Sequence, residues 1–245
     1  MEIIGMKTRI INPPQDDLYG AMDERVQDVQ EGDVFLVSSK VMAIHQGRCV
    51  LATDVDKDEL VIQEAERIFS YYNSAFGKRF RLTLKKNTLI GAGGVDESNG
   101  DGYYILWPTK IMELCREIRE YLCKRFGVKD IAVIAVDSHS LPLRYGAMGI
   151  SIGFYGMKPL KPYEGTKDLF GKKFTVERSN LVDMLASAGT LVMGEGTEQM
   201  PLAIIRGAKQ IEFVDEDTSK ELFIPLEEDM YWPMLQILEK NTEKK

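Results

Sequence analysis

The sequence predicts a mixed α/β (α+β) fold built from layered helices and sheets. Segments with helical periodicity are interleaved with short apolar or alternating strand patterns, and 245 residues with 44% hydrophobic content can bury a sizeable core. Neither a GxxxxGKS/T P-loop nor a strand-turn-helix GxGxxG (Rossmann) fingerprint is present. We expect one folded unit over residues 1–240, divisible into two subdomains at a boundary the pattern leaves open, and a disordered polar tail over 241–245.

Helix and strand patterns alternate from the amino end onward. Residues 16–29 place Leu18 and Met22 on one helical stripe, and 33–37 are predicted as a short buried strand. The pattern then predicts, in chain order, a helix at 58–76, a strand at 80–84, a helix at 111–126 ended by Gly127, strands at 131–136 and 174–178, a helix at 179–193 capped by Ser179 or Asn180, and a strand at 201–205.

Composition excludes several classes of partner. The formal charge of −7, with Lys and Arg spread along the chain, disfavours broad attraction to nucleic acid or to an anionic membrane. The longest strongly apolar run, 131–136, is far shorter than the roughly 20 residues that span a bilayer. Cys49, Cys115 and Cys123 lack CxxC spacing and the amino end lacks a signal-peptide pattern, so we expect reduced thiols in a cytoplasmic protein.

A glycine-rich acidic turn at residues 87–102 is the first candidate site. Asp96 and Asn99 follow three glycines, whose backbone can approach a ligand closely. An ordinary acidic turn after a strand near Leu89 explains the same pattern, so both interpretations stay open.

The second candidate follows the buried strand at 131–136. Asp137 and Ser138 come at the carboxyl end of this strand, where α/β proteins usually bind ligands, and their hard oxygen atoms suit Mg²⁺ or Mn²⁺. A carboxylate that accepts hydrogen bonds within a turn is an equal alternative. His139 has no HExxH pattern or second nearby histidine, so we expect a hydrogen-bonded structural imidazole rather than a base, and His45 shows no ligand spacing either.

The third candidate is residues 144–174, a stretch rich in glycines and basic residues. Arg144 and Lys158 are its predicted substrate-binding residues, because glycines admit a ligand and cations neutralise an anion such as a phosphorylated substrate. A series of turns with solvated lysines fits equally well.

The fourth candidate lies at residues 191–201, where a predicted helix ends. Gly194 and Gly196 bracket Glu195, which places a carboxylate among backbone N–H groups. A helix C-cap is the simple explanation of this pattern.

Taken together and in order, these motifs resemble a known enzyme family. GGVDESNG, VDSHSLPLRYGAMGISIG, KDLFGKKFTVERSNLVDMLASAGTLVMGEG and the earlier EGDVFLVSSKVMAIHQGR are similar to segments of the coenzyme F420-0:L-glutamate ligase (γ-glutamyl ligase) family. The resemblance covers about residues 8–206 and includes TRIINPPQDDL, which looks like the family's opening segment. It implies a γ-glutamyl ligase-like fold without a P-loop.

The resemblance also implies an activity and a set of residues. Family members are homodimers that use GTP and Mg²⁺ or Mn²⁺ to join L-glutamate to the carboxylate of a deazaflavin precursor, through an acyl phosphate. The implied metal ligands are Asp96, Asp137, Ser138 and Glu195, with Asp96 and Asp137 the most sensitive catalytic positions. The implied nucleotide contacts are Arg9, Ile10, Ile11, Asn12, Ser39, Lys40, Asn99, Gly194 and Gly196.

Several positions depart from the family pattern. Leu141 stands where the family has an Arg, for which Arg144 is a candidate substitute. Ile44 stands where the family has a nucleotide-associated Lys, for which Lys40 is a candidate, and Gln46 replaces a Glu. Three alternatives therefore stay open: a paralogous ligase with another acceptor, a metal-dependent phosphohydrolase, and a silent nucleotide-binding homologue. Retention of all the implied metal ligands argues against the silent homologue.

Overall fold

The computed structural model describes residues 1–73 and 79–242. The chain forms two compact units, each assembled from separate segments: the first from 1–9, 19–38 and 110–222, and the second from 10–18, 39–109 and 223 onward. The chain passes from one unit to the other five times, so no single linker marks the division in the sequence.

Strands and helices alternate through the described residues. The strands are β1 (Glu2–Met6), β2 (Val34–Ser38), β3 (Cys49–Leu51), β4 (Arg67–Asn73), β5 (Arg79–Lys85), β6 (Thr88–Gly91), β7 (Tyr103–Ile105), β8 (Ala132–His139), β9 (Met148–Tyr155), β10 (Leu160–Pro162), β11 (Arg178–Asn180) and β12 (Leu202–Arg206). The helices are α1 (Leu18–Arg25), α2 (Ser39–His45), α3 (Lys57–Glu64), α4 (Ile111–Phe126), α5 (Leu181–Met193), α6 (Ser219–Leu222) and α7 (Trp232–Thr242). This arrangement confirms the predicted mixed α/β class.

The first unit is built on a five-stranded sheet in the order β1-β12-β2-β8-β9. Strands β2 and β8 are parallel, and the other neighbours in the sheet are antiparallel. Helix α4 packs against β8 and β9, and α5 packs against β1, β8, β9 and β12. Residues 34–37 and 132–136 are all buried, so these strands are covered on both faces and their sequences are continuously apolar.

Three glycines permit the close packing of helices on this sheet. A Cβ at Gly153 of β9 would collide with Ile111 of α4, and one at Gly149 would collide with Thr190 of α5. A Cβ at Gly189 would likewise collide with the Leu36 side chain of β2. Gly149 and Gly153 belong to the stretch predicted to leave space for a ligand, and in the structure their missing side chains leave space for residues of α5 and α4.

A buried ion pair ties two neighbouring strands of the same sheet together. Asp33, which is 0% exposed, precedes β2 and accepts hydrogen bonds from Arg206 of β12, with Nε 2.9 Å and Nη2 2.7 Å from its two oxygens. The Gln30 N–H also donates to Asp33 at 2.8 Å. Arg206 Nη1 reaches the more exposed Asp28 at 3.0 Å. The hydrogen bonds from Arg206 to Asp33 hold the pKa of that guanidinium above its usual value.

The second unit contains the antiparallel sheet β4-β5-β6 and the antiparallel pair β3-β7. Asp56 caps α3 by accepting from the N–H groups of Asp58 and Glu59, and α7 packs against β4. At the end of α3, Glu64 accepts from the buried Lys85 ammonium at 2.7 Å and from Arg48 Nη2 at 2.8 Å. This charge cluster joins α3 to β5 and to the segment before β3.

The helix predicted at 58–76 is wrong in its second half. Helix α3 ends at Glu64, and residues 67–73 form β4 instead. Residues of this stretch pair with β5 on both sides of a register shift between Ile68 and Ser70, and β5 is a hydrogen-bonded partner that a helix prediction cannot anticipate. Residues 74–76 lie outside the described part of the chain.

Other predicted element boundaries also differ from those in the structure. The helix predicted at 16–29 is limited to α1, and the strand predicted at 174–178 retains only Arg178. In the latter, the N–H groups of Thr175 and Val176 donate to the Glu177 carboxylate at 2.9 and 3.0 Å, so a side chain replaces a strand partner. Helix α7 runs to Thr242, inside the tail predicted as disordered, and residues 243–245 lie outside the described chain.

The remaining predicted elements are confirmed. Strands β2, β5, β8 and β12 and helices α4 and α5 lie within a few residues of their expected bounds, and Asn180 is the N-cap of α5. None of the helices in the described ranges is long and apolar enough to cross a membrane.

The buried Asp33–Arg206 pair provides a stability test. We expect Asp33→Ala to lower the free energy of unfolding by about 3 kcal/mol, because it leaves a partly buried guanidinium without its main partner. Asp28→Ala removes the exposed partner of the same guanidinium and should cost less than about 1 kcal/mol. Urea unfolding of both variants measures the difference, and equal losses would contradict the assignment of Asp33 as the principal partner.

Candidate active site

The predicted site residues are distributed over both units. Asp137, Ser138 and Glu195 lie in the first unit, and Asp96 lies in the second. The predicted nucleotide and substrate contacts divide in the same way: Arg9, Arg144, Lys158, Gly194 and Gly196 belong to the first unit, and Ile10, Ile11, Asn12, Ser39, Lys40 and Asn99 to the second.

Asp137 and Ser138 occupy the end of a central strand of the first unit. Parallel pairing between β2 and β8 ends at Ser38 and Val136, and β8 continues for three residues paired only with β9. Strand β8 thus extends past the apolar run that ends at Val136, through Asp137 and Ser138 to His139, because antiparallel pairing with β9 continues there. The residues nevertheless lie beyond the carboxyl end of the β2-β8 pair, the position from which α/β sheets present ligand-binding groups.

The loop after α5 brings Glu195 to Ser138. Gly194 caps the helix with φ of 75°, and its N–H donates to the Thr190 carbonyl at 2.9 Å, which confirms the predicted C-cap. Ser138 Oγ donates a hydrogen bond to Glu195 Oε2. Two of the implied metal ligands, separated by 57 positions in the chain, are therefore direct neighbours.

His139 is not the hydrogen-bonded imidazole that we expected. Its Nδ1 atom is buried and has no hydrogen-bond partner among the described residues. Burial lowers the pKa of His139, and the Asp183 carboxylate opposes this shift only in part. At neutral pH the ring is therefore uncharged, consistent with its buried nitrogen.

In the second unit, Asp96 lies in a turn with a fixed backbone. The Asp96 N–H donates to the Ile105 carbonyl at 2.9 Å, and the Ile105 N–H donates to the Asp96 carbonyl at 2.7 Å. Its side chain is fixed by Ser98, whose N–H and Oγ donate to Oδ1 at 2.8 and 2.9 Å. The preceding Gly94, with φ of 70°, lies so close to the Trp107 indole that a Cβ would stand 2.8 Å from its Nε1.

Lys40 of α2 contacts the second oxygen of the same carboxylate. Its Nζ lies 2.7 Å from Asp96 Oδ2, and also donates to the Ser98 carbonyl at 2.6 Å and to Ser98 Oγ at 2.9 Å. Burial raises the pKa of Asp96, but the Lys40 ammonium and the hydrogen bonds from Lys40 and Ser98 outweigh it, so the net pKa is lowered. Asp96 is thus a carboxylate at neutral pH.

The opening segment predicted to bind nucleotide contains both buried and exposed side chains. Ile11 is buried, whereas Ile10 is 64% exposed. The Asn12 N–H donates to Asp16 Oδ2 at 2.8 Å, and Arg9 Nε lies 3.7 Å from Glu24 Oε1. Asn99, in the turn after Ser98, adopts a left-handed conformation with φ of 53°.

The predicted substrate cations have different surroundings. The Lys158 ammonium lies 2.6 Å from Glu221 Oε1 and 3.4 Å from Glu216 Oε1, and these hydrogen bonds raise its pKa. Arg144 is exposed and donates to the neighbouring Leu143 carbonyl at 3.3 Å. Lys158 would have to exchange a carboxylate partner in order to bind a substrate anion.

Two of the departures from the family pattern have local structural roles. Ile44 is buried within α2. The Gln46 side chain accepts from the Thr109 N–H at 2.8 Å and donates to its carbonyl at 3.1 Å. Leu141 is 43% exposed and follows the end of β8.

The oxygen donors of each unit suit a hard divalent cation. Ser138 and Glu195 are adjacent in the first unit, and Asp96 lies beside the Ser98 carbonyl and hydroxyl in the second. Carboxylate, carbonyl and hydroxyl oxygens are the ligands that Mg²⁺ and Mn²⁺ take. No group of three His, Cys, Asp or Glu side chains in the described ranges is gathered for a metal. The four-residue ligand set stays a prediction.

Ser98 is a neighbour of the candidate residues Asp96 and Lys40 that the sequence patterns did not single out. It contacts both Asp96 oxygens and the Lys40 ammonium. A Ser two positions after an Asp in a glycine-rich turn is typical of an Asp side chain that accepts the backbone N–H two residues on, and that signal was available.

Comparison with known proteins identifies related sequences. Residues 5–207 match the sequence profile of a family described as F420-0:Gamma-glutamyl ligase. The chain is 34% identical to the Coenzyme F420:L-glutamate ligase of Methanopyrus kandleri, over 80% of this chain and 82% of that protein. It is 29% identical to the protein of the same name from Methanosarcina barkeri over 93% of both chains, and 32% identical to that of Halorubrum lacusprofundi over 87% and 89%.

The Lys40–Asp96 contact predicts how Asp96 titrates. We expect Lys40→Met to raise the pKa of Asp96, because the variant removes an attracting charge and a hydrogen bond while burial persists. In the unmodified protein the lowered pKa contributes stability above the ordinary value of about 3.9, and this contribution is lost as pH falls through the folded-state pKa.

Carbon-13 NMR titration of the Asp side chains measures this shift. Lys57→Met is the matched control, since it removes an ammonium that lies 2.8 Å from Glu97 rather than one on Asp96. An Asp96 titration that stays unchanged in Lys40→Met would contradict the prediction.

Proposed function

The chain belongs to the F420-0:gamma-glutamyl ligase family, and on this basis we propose that it joins L-glutamate to a carboxylate of a deazaflavin precursor, with GTP as the phosphoryl donor and Mg²⁺ or Mn²⁺ as cofactor. The observation that carries this proposal is the family match over residues 5–207, which includes every predicted site residue. Relatives named as Coenzyme F420:L-glutamate ligases match over most of their length, which supports a ligase acting on small molecules. We further expect a homodimer in the cytoplasm.

The reaction must overcome the poor reactivity of a carboxylate toward an amine. We infer that an oxygen of the acceptor carboxylate attacks the γ-phosphorus of GTP and GDP leaves. The glutamate amine then attacks the acyl carbon of the resulting acyl phosphate, inorganic phosphate leaves with the bonding electrons, and the amine gives up its proton. Positioning and electrostatic stabilisation are the main contributions that a protein makes to such phosphoryl transfer.

Each unit holds groups suited to part of this task. The proposed metal ligands are Asp137, Ser138 and Glu195 in the first unit and Asp96 in the second, and bound metal would supply positive charge against the phosphates. Among the predicted nucleotide contacts, the Lys40 ammonium is a group that suits phosphate oxygens. The Gly194 and Gly196 N–H groups donate to the Thr190 carbonyl and to Glu198 Oε2, so a phosphate would have to replace these partners. The ionised state of Asp96 is the state that a metal ligand requires.

An assay of the purified chain tests the proposal directly. GTP or ATP is supplied with Mn²⁺ or Mg²⁺, with and without L-glutamate and the deazaflavin precursor, and the products are identified by mass. We expect GDP release together with a product heavier by one or more glutamyl groups, and only when all components are present. Nucleotide hydrolysis independent of glutamate would indicate a phosphohydrolase, and metal-dependent binding without turnover would indicate a silent homologue.

Substitution at Asp137 tests the proposed metal ligation. We expect Asp137→Asn to lower kcat by more than about 100-fold, since the loss of even an outer partner of a metal ligand commonly costs about 10- to 100-fold. Asp130→Asn, which changes an exposed carboxylate two residues before β8, is the control and should retain activity. Full metal-dependent turnover in folded Asp137→Asn would contradict the assignment.

A further inference from the structure

Three oxygen atoms of one turn surround the ammonium group of Lys40. They are Asp96 Oδ2 at 2.7 Å, the Ser98 carbonyl oxygen at 2.6 Å and Ser98 Oγ at 2.9 Å, and we call this group the oxygen cradle. A lysine ammonium has three N–H donors, so the cradle matches its full donor capacity.

The cradle has the ligand chemistry of a divalent cation site. A carboxylate, a backbone carbonyl and a hydroxyl are hard oxygen donors of the kind that Mg²⁺ and Mn²⁺ prefer. Its shape has support that does not involve Lys40. The Asp96 backbone is paired with Ile105, and the Ser98 N–H holds the other carboxylate oxygen at 2.8 Å.

We propose that Lys40 is a resident cation of the oxygen cradle, that a divalent metal binds there only by displacing it, and that Ser98 then serves as an additional oxygen ligand beside Asp96. The inference rests on the metal requirement of the proposed function. An ammonium and a divalent ion within about 3 Å of each other repel strongly, so the two occupants exclude one another. The displaced ammonium becomes available to the nucleotide phosphates, so one exchange would fill the metal site and free a phosphate-binding cation.

Exposure at the cradle favours such an exchange. The Lys40 and Asp96 side chains are 23% and 48% exposed, and ion pairs that water can reach are held only weakly. A long, unbranched lysine side chain can also leave the cradle without moving the backbone of α2. By contrast, the buried Lys85–Glu64 pair of the same unit has side chains only 6% and 16% exposed and would not exchange readily.

The proposal predicts a change in Mn²⁺ affinity on removal of Lys40 that is opposite in sign to the change expected if Lys40 has a purely structural role. If Lys40 only holds the turn together, its removal loosens the cradle and weakens metal binding. If Lys40 competes with the metal, its removal strengthens metal binding. We expect Lys40→Met to tighten Mn²⁺ binding about fivefold, the scale on which a partly exposed ion pair opposes a competitor.

Mn²⁺ titration of the full chain without nucleotide tests this sign, with free Mn²⁺ followed by electron paramagnetic resonance. Asp96→Asn defines the part of the binding that depends on the cradle, and only that part is compared between variants. Lys40→Gln should tighten binding as Lys40→Met does, and Ser98→Ala should weaken it. Lys57→Met, which removes an ammonium paired to the adjacent Glu97, is the matched control and should leave the affinity unchanged.

A second readout follows the displaced lysine itself. In the unmodified protein, Mn²⁺ should increase the acetylation of Lys40 by a small amine-reactive reagent, measured by mass spectrometry, and should leave Lys57 unaffected. Unchanged or weaker Mn²⁺ binding in folded Lys40→Met and Lys40→Gln would overturn the proposal. Equal Mn²⁺ binding by Asp96→Asn and the unmodified protein would overturn it as well.

These outcomes are separable from those of the ligase assay. If Mn²⁺ binds more tightly without Lys40 but the unmodified protein forms no glutamyl product, the exchange at the cradle is supported and the proposed function is contradicted. If the unmodified protein forms the glutamyl product but Mn²⁺ binds no more tightly without Lys40, the proposed function is supported and the exchange at the cradle is contradicted.

Discussion

The parallel pairing of β2 with β8 is the constraint on which the first unit depends. Both strands are buried along their shared length, so they admit only apolar side chains there, and their polar residues are confined to the ends. At one end the buried Asp33 is neutralised by Arg206 of the adjacent strand. At the other, where β2 has ended, β8 carries Asp137 and Ser138 onward beside β9. A buried ion pair thus lies at one end of this pairing, and oxygen donors lie beyond the other end.

Two carboxylates among the implied metal ligands, Glu195 and Asp96, have hydrogen-bond partners within the protein. Ser138 donates a hydrogen bond to Glu195, and Asp96 accepts hydrogen bonds from Lys40 and Ser98. The Lys40 ammonium and the hydrogen bonds from Lys40 and Ser98 keep the pKa of Asp96 below its usual value despite burial. In the proposed metal site these partners would give way to a divalent ion, because exposed ion pairs are held only weakly.

Different physical constraints explain why glycine occupies particular positions in this chain. Gly149, Gly153 and Gly189 allow helices to pack closely on the central sheet. Gly94 and Gly194 adopt positive φ, the first beside the Trp107 indole and the second at the end of α5. Glycine richness alone therefore does not identify a ligand site, because close packing and turn geometry require the same residue.

The sequence by itself determined the fold class, the apolar central strands, helices α4 and α5, and the candidate residues, because these depend on periodicity, capping and residue type. Only the tertiary structure decided that residues 67–73 are a strand, since their pairing with β5 is a contact that no local pattern contains. It alone brought Glu195 to Ser138, 57 positions away in the chain, and Lys40 to the cradle formed by Asp96 and by Ser98, the latter 58 positions away. Hydrogen bonds between distant segments are fixed by packing, so a one-dimensional pattern can propose the chemical groups but not their partners.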